Sequence, residues 1–444
     1  MRPVIEFLRE GEALLQAHKW QEAAKIFDAV LSKQPKIAEA ANGLGIAHHH
    51  LGNIGSAIAA FSHATLVAQE HPDVWANFGA TLRFAGHIEW GRAAYERALK
   101  AAPNHAGALN GMCGSYVNEG NPAEGVRWGE RAVAAPDAPL PAHLNLALCL
   151  MELGRWDEAW PHWRRRVVPG CVERHYPGDR WRGEDVDWLI AHGEQGLGDE
   201  VMFLGCLPEL IDRAHRGVVI EVNPRLVPLV RQSFPQATVI GRAEEYRHPG
   251  DGVIAHVALG DLPELCAGGI PPKRSGYLRA PGGLLSTDAV LLAMRGGTMQ
   301  THDYLRNPPV DAWRPVVEAI RAVGLRPVSI QYGPDGPGMA AALGIEHDAD
   351  AAGDLTRQAE AIAAAVALVS VQQTALHLGG AVGAHVLGIV SNKPAWRYGI
   401  TGDMPWYETV DLYRQAADES DWAPVMGRVV DALRYVWKRE ECAA

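Results

Sequence analysis

A 34-residue period in the first third of this 444-residue chain constrains its fold more than any other feature. The blocks WQEAAKIFDAVLSKQP, NIGSAIAAFSHATLVAQ, HIEWGRAAYERALKAAP and RWDEAWPHWRRRV align at that spacing or its multiple. Phe27, Phe61 and Tyr95 fall in register, followed by Gly129 and Trp163. Gly11, Gly45 and Gly79 recur at the same period in the preceding helical pattern. Gly86, Gly120 and Gly154 mark turns, and Pro35 and Pro103 close their repeats. Each such unit is too small to bury its own apolar face, so neighbouring units must stack.

These residues resemble the tetratricopeptide repeat, in which small residues stand where paired helices touch. About five helix pairs are expected from the N-terminus to about Val168. The fourth is degenerate, with Cys113, Gly125 and Gly129 at positions that elsewhere carry other small or aromatic residues. The resemblance implies a right-handed solenoid whose concave face holds an extended peptide or another protein. The triplet His48-His49-His50 does not read as a metal site. Adjacent helical residues point about 100° apart, so three in a row do not converge on one ion.

The second half alternates strand-like and helical runs. The junction VPGCVERHYPGDRWRGEDVDW, rich in Pro, Gly and charge, leads into it. Strands are expected at Trp188–His192, Gly217–Asn223, Ala237–Gly241 and Gly252–Leu259, with helices at Val201–Ala214 and Pro224–Ser233. A second set follows: strands Val290–Met294, Arg326–Tyr332, Ala367–Val371 and His385–Val390, and helices near Val310–Val323, Asp354–Ala365 and Thr374–Val382. The closing segment Asp421–Lys438 is amphipathic. This alternation predicts parallel sheets covered on both faces. The expected organisation is repeats over 1–168, a linker over 169–186, two Rossmann-like domains over 187–284 and 285–418, and a C-terminal helix over 419–444.

Two strand-turn-helix segments carry the chemistry. GEQGLGDEVMF contributes Gly193, Glu194, Gln195, Gly196 and Gly198, which bring backbone close to a ligand. Asp199 stands at or beside the following helix start, where an acid serves either as a cap or as a functional carboxylate. The second segment, SVQQTALHLGGAVG, contributes Gln372, Gln373, Thr374 and His377. Two such turns in consecutive α/β units predict two facing domains with a cleft between them.

Together with PAWRYG and MPWYETVDLYRQ, these motifs resemble the bacterial tetratricopeptide-repeat glycosyltransferase-like proteins. Their catalytic half is similar to the ADP-heptose:lipopolysaccharide heptosyltransferase family. The resemblance implies a GT-B arrangement, with an acceptor-side domain first and a domain for a nucleotide-activated sugar second. It implies that Asp199, matching that family's acid in the first glycine-rich turn, is the base. The family's second turn carries Asp-Thr-x-x-x-His. Counted back from His377, the Asp falls on Gln372 and the Thr on Gln373, so only the histidine matches.

Sugar transfer needs a base for the acceptor hydroxyl, neutralisation of the departing diphosphate, and a site shielded from water. The helix amides at Gln373, Thr374 and Ala375 suit the diphosphate without a metal. Thr374 either adds a donor or caps its helix. Arg397, with Arg295 or Arg306, supplies cationic partners. Tyr332 and Gly333 end a strand at the ligand-binding edge of such sheets. Trp396, Trp406 and Tyr407 either wall the cleft or pack in the core. The one Asp-x-Asp, Asp348-Ala349-Asp350, reads as turn and cap chemistry, and no metal or cofactor is expected.

Composition removes other classes. A formal charge of −11 disfavours nucleic acid as a partner. The six scattered cysteines argue for a reducing compartment and against structural zinc or a disulfide framework. Acids interrupt the apolar N-terminal pattern, and no run of about 18 apolar residues occurs, so neither a signal peptide nor a membrane span is expected. The cytoplasm is the expected compartment. The leading expectation is thus a glycosyltransferase whose concave repeat face selects an acceptor protein, such as flagellin or another surface protein. The alternatives are a non-catalytic adaptor on the same fold and a nucleotide-sugar epimerase. Oligomeric state is left open.

Overall fold

The computed structural model describes residues 3–166, 176–242, 252–266, 268–281, 287–297 and 306–441, with side chains to 434. Cys171 and Cys442, with much of the junction and residues 298–305, lie outside the described residues. The chain forms two compact units, Met1–Leu153 with Pro161–Val167, and Gly154–Trp160 with Val168–Ala444.

The first unit is built from helical hairpins. The helices are α1 (Val4–Gln16), α2 (Trp20–Leu31), α3 (Ala38–His50), α4 (Ile54–Val67), α5 (Pro72–Phe84), α6 (Ile88–Ala101), α7 (Ala106–Glu119), α8 (Pro122–Ala134) and α9 (Leu140–Glu152); α10 (Trp156–Trp163) follows, its residues up to Trp160 counted with the second unit. Their packing explains the period. Phe27 is buried against Gly11 of α1 and Gly43 of α3; a Cβ on Gly11 would stand 2.6 Å from the Phe27 ring. The same relation joins Phe61 to Gly45 and Tyr95 to Gly79 and Gly111. Each ring therefore fills space that a neighbouring helix leaves by carrying no side chain. The fourth repeat inverts the scheme. Gly129 takes the ring position, and Cys113, one period after Gly79, fills the space together with Leu146. The Cys113 and Cys149 sulfurs meet there at 3.9 Å.

The turns repeat as faithfully as the core. Gly52, Gly86, Gly120 and Gly154 take φ of +76°, +87°, +77° and +72°, the left-handed region that favours glycine. His18 holds the equivalent place in the first hairpin with φ +56°, alone among the described non-glycine residues. The strain is local and removable. His18→Gly is expected to raise stability by about 0.5–1 kcal/mol, the left-handed penalty less glycine's extra unfolded-state entropy. Thermal unfolding checks this; a lower midpoint would mean that the edge contact between His18 and Trp20, 5.1 Å between ring centroids, matters more.

The histidine triplet closes α3 without convergence. His50 stacks on Trp20 at 4.0 Å between centroids, whereas His49 Nδ1 lies 3.1 Å from Thr81 Oγ1. Among the described residues no group of three potential ligands is placed to hold a metal ion.

The second unit contains two parallel sheets. The first comprises β1 (Asp179–Arg180), β2 (Val186–His192), β3 (Ala214–Val222), β4 (Thr238–Gly241) and β5 (Ile254–Ala258), ordered β1-β5-β2-β3-β4. Its helices are α11 (Leu197–Phe203), α12 (Leu207–Ile211), α13 (Val227–Ser233) and α14 (Leu262–Cys266). The second sheet comprises β6 (Ala289–Ala293), β7 (Arg326–Ser329), β8 (Glu346–His347), β9 (Ala367–Val371), β10 (Val386–Val390) and β11 (Val410–Arg414), ordered β11-β10-β9-β6-β7-β8. Its helices are α15 (Arg314–Ala322), α16 (Gly336–Leu343), α17 (Ala349–Gly353), α18 (Leu355–Ala364), α19 (Thr374–Val382) and α20 (Ala423–Glu441).

Three sequence expectations change here. The single helix Val201–Ala214 is instead α11, a 3₁₀ turn at Leu204–Cys206, and α12, while Ala214 opens β3. Pro208 has no N–H to donate back one turn, so the α-helical ladder is interrupted. Short strands β1, β8 and β11 are additional. The C-terminal helix is not a separate body: Val425, Met426 and Val429 of α20 join Val290, Trp313, Ile320 and Leu387 in the core of the second sheet.

Both sheets reverse their strand order once. The first does so between β2 and β5, the second between β6 and β9. Ligands bind at the carboxyl ends of strands beside such reversals. The turns of the two strand-turn-helix segments leave β2 and β9, so both stand at a reversal.

Candidate functional site

The two turns meet. α11 packs against α19, and Gly198 makes the approach possible: a Cβ there would stand 3.2 Å from His377 Cδ2 and 3.6 Å from Thr374 Cα. The helix α11 begins after Gly196, its N-cap, with no side-chain cap. Asp199 is therefore not the cap but the third helical residue. Its carboxylate turns away from the helix end and accepts from Arg397, Oδ1 from Nε and Oδ2 from Nη2, the latter at 2.6 Å. Asp199 keeps 7% of its side-chain exposure and Arg397 22%.

This pairing alters two expectations at once. Arg397, a candidate cation for the diphosphate, and Asp199, a candidate cap or base, occupy each other. Two close, oppositely charged planar groups with matching forks pair more strongly than either pairs with water in a half-closed site. Burial opposes the charge of Arg397, but the Asp199 carboxylate, through charge and hydrogen bonds, carries its pKa upward. The guanidinium also lies over the Trp396 ring, 5.1 Å from its centroid. Trp396 and Trp406 are buried, with Phe203 packed against both, so they form core rather than an open wall. Trp406 Nε1 donates to the Arg397 carbonyl and fixes the turn that carries the guanidinium.

His377 lies under the pair. It is buried and held on both nitrogens, with Nε2 2.9 Å from the Tyr398 hydroxyl and Nδ1 3.2 Å from that of Tyr407. Burial, then the nearby Arg397 charge, pulls its pKa down to about 3. The ring is thus a neutral support rather than a cation for phosphate. Because the folded pKa is depressed, His377 contributes stability that is complete above about pH 6.5, its unfolded value, and is lost as pH falls toward 3. His377→Gln is expected to flatten the fall in stability over that window relative to the parent chain, measured by urea unfolding at several pH values.

The remaining candidates divide. Gln372 is committed to the protein: its Oε1 accepts from Ala395 N at 3.0 Å and its Nε2 donates to Ser391 Oγ at 3.3 Å. It shapes the loop leading to Arg397 and does not face a ligand. Gln373 is the N-cap of α19 and makes no side-chain cap bond, and Thr374 is the first helical residue rather than the cap. Gln373, Thr374 and Tyr332 line a common cavity of about 50 Å³, joined by Leu197 and Arg225 from the other sheet. Gly333 turns the chain beyond Tyr332 with φ +85°. Arg295 stands elsewhere, pairing with Asp335 at 3.0 Å on an open cleft of about 580 Å³ that Asn307 and Met339 also line. Arg306 is not part of the lining of the Thr374 cavity.

On the first turn, Gly193 leaves room for the Glu200 carboxyl, which a Cβ would meet at 2.6 Å. Glu200 is buried, accepts from Asn223 N at 2.7 Å and pairs with Arg242. It ties the turn to β3. Gln195 Nε2 donates to Glu194 Oε1 at 3.1 Å. Asp348 caps α17 by accepting from Ala351 N at 2.9 Å, in keeping with a turn-and-cap role for that acid pair.

Several positions of the candidate site and of the repeats escaped sequence reasoning. Gln331 binds the ends of β6 and β7 together: its Oε1 accepts from Met294 N and Arg295 N, and its Nε2 donates to Arg295 O. Arg225 enters the cavity from a sequence-distant 3₁₀ turn, and no local pattern marks it. In the repeats, Asn77 donates to Asn42 at 3.1 Å and Asn145 to Asn110 at 2.8 Å. These half-buried amides ride on the first helix of successive pairs. Their spacing alternates around the period, which hides them from a strict 34-residue alignment.

The tetratricopeptide-repeat family matches residues 8–72. The chain is 27% identical over 461 aligned positions to Protein FlbA of Caulobacter vibrioides, covering 93% of this chain and 75% of that one. Among solved structures, a thermophilic TPR protein of Thermus thermophilus is 18% identical with a TM-score of 0.34, covering 37% of this chain and 89% of that one. The Cut9–Hcn1 hetero-tetramer of the APC/C is 16% identical with a TM-score of 0.35, covering 36% of this chain and 32% of that one. The N-terminal region is a tetratricopeptide-repeat solenoid, followed by parallel-sheet α/β regions. Among the described residues no helix is long and apolar enough to cross a membrane.

Proposed function

We propose that the α/β half is a glycosyltransferase of GT-B arrangement, akin to the heptosyltransferases, and that the repeats choose its acceptor. The observation that carries this reading is the meeting of two strand-turn-helix ends, each beside a strand-order reversal, with Asp199 on one and the open end of α19 on the other. Asp199 takes the acceptor proton once the Arg397 pair opens. The amides of Thr374 and Ala375, which have no carbonyl one turn back, stabilise the departing phosphate. His377, neutral and doubly hydrogen-bonded, holds the floor between them. The paired asparagines present amide donors and acceptors of the kind that read an extended main chain, which supports a protein acceptor; flagellin or another surface protein, met in the cytoplasm, is the candidate that the repeat-plus-transferase arrangement suggests. No metal step is needed, because the helix end supplies the positive potential.

Heat-shift titration with UDP-, ADP-, GDP- and CMP-sugars tests the reading, followed by transfer assays in EDTA. A shift with at least one donor and transfer that survives EDTA are expected. Activity lost in EDTA and restored by manganese would overturn the metal-independent mechanism. A second reading, a non-catalytic adaptor, draws support from the closed Asp199–Arg397 pair and the committed Gln372; absence of any shift would favour it.

A further inference from the structure

The cavity of about 50 Å³ in front of α19 has the size of one small oxyanion rather than of a nucleotide. Two helices start at its edge. α18 is already satisfied, since Asp354 Oδ1 accepts from Thr356 N at 2.8 Å and Arg357 N at 2.9 Å. α19 is not, because Gln373 caps it with no side-chain bond. Gln373 is 8% exposed, and its buried Nε2 donates to no partner. A buried donor left without an acceptor is unfavourable and asks for a ligand. Across the cavity stands Arg225, on the 3₁₀ turn Pro224–Leu226 after β3. Its backbone N–H is used by Asn223 Oδ1, but its guanidinium forms no ion pair among the described residues. A second cation near α19, Arg397, is taken by Asp199.

We propose that this cavity seats a phosphoryl group of a nucleoside diphosphate and that Arg225, reaching from the first sheet, is the cation that holds it. The inference rests on the nucleotide-sugar reading above and gives its donor site a residue from the opposite sheet. The phosphoryl oxygens accept from the Thr374 and Ala375 amides and from Gln373 Nε2 on one side, and from the Arg225 guanidinium on the other. Donor binding then links the two sheets through a single charged group. The Asp354 carboxylate beside the cavity accepts from the α18 amides, whose helix end opposes part of its charge.

The test uses the full chain and isothermal titration with ADP, UDP, GDP and CDP, and separately with inorganic pyrophosphate. The variants are Arg225→Gln, Gln373→Leu, which removes the buried unpartnered donor, and, as control, Arg127→Gln, an exposed arginine of the repeat unit. Arg225 is exposed, so its variant is expected to fold with an unchanged melting midpoint in the absence of ligand. At least one diphosphate is expected to bind the parent chain, with Arg225→Gln about 10- to 100-fold weaker, Gln373→Leu weaker, and Arg127→Gln unchanged. Pyrophosphate following the same order assigns the contact to the phosphate rather than the nucleoside. Parent-like binding by Arg225→Gln overturns the inference while leaving the donor site standing. Binding of no diphosphate and no pyrophosphate to the parent chain overturns the nucleotide reading and the inference together.

Discussion

Arg397→Met is expected to destabilise the α/β unit by about 3 kcal/mol, the low end for a broken buried ion pair because Arg397 retains 22% exposure. The variant leaves the Asp199 carboxylate, 7% exposed, without its partner and removes the cation over Trp396. Asp199→Asn is expected to cost less, since the guanidinium left behind reaches water more easily. The double variant is expected to be more stable than the sum of the singles by about 1–3 kcal/mol, because it removes both charges together. Urea unfolding of the full chain, with the α/β transition fitted separately from the repeats, measures the cycle. Additive single effects would show that the pair contributes no coupling.

The repeated core was legible in the sequence because ring and glycine recur at one spacing, and Gly11, Gly45 and Gly79 each prove to lie against a ring. The inner strands of both sheets were legible for a similar reason. Val290, Leu368 and Ile389 belong to short apolar runs that only burial on both faces explains. The missed strands β1, β8 and β11 are all sheet edges. An edge strand is half exposed and needs no apolar run, and two of these have only two residues.

The site was legible as motifs but not as partnerships. Asp199, Thr374 and His377 stand near one another, as expected for two facing turns. What Asp199 touches could not be read, because Arg397 is 198 residues away and their pairing depends on how the two sheets pack. Gln372 looked like a ligand contact because it replaces an acid in the resembled motif. Its actual role, bracing the loop at Ala395, depends on a backbone N–H that no motif encodes. Arg225 escaped for the same reason: its neighbours in the cavity come from four other segments of the chain.

On the transferase reading, Asp199→Asn is expected to lower transfer by about 10²–10⁴, the usual loss for a general base, while donor binding changes little. The amide keeps the shape of the carboxylate, and one oxygen still accepts from Arg397. It has no charge to hold the pair closed and no basicity to take the acceptor proton. The resting pair adds a second expectation. In the parent chain, transfer waits for Arg397 to release Asp199, so weakening the pair without removing the base should raise the fraction of open carboxylate. Arg397→Lys keeps a cation but loses the two-pronged geometry. It is expected to retain far more transfer than Asp199→Asn. Single-turnover transfer measured beside calorimetric donor binding separates the two roles. If Asp199→Asn transfers at the parent rate, the residue is a structural partner of Arg397 alone, and His192 and Glu194 at the end of β2 become the next candidates for the base.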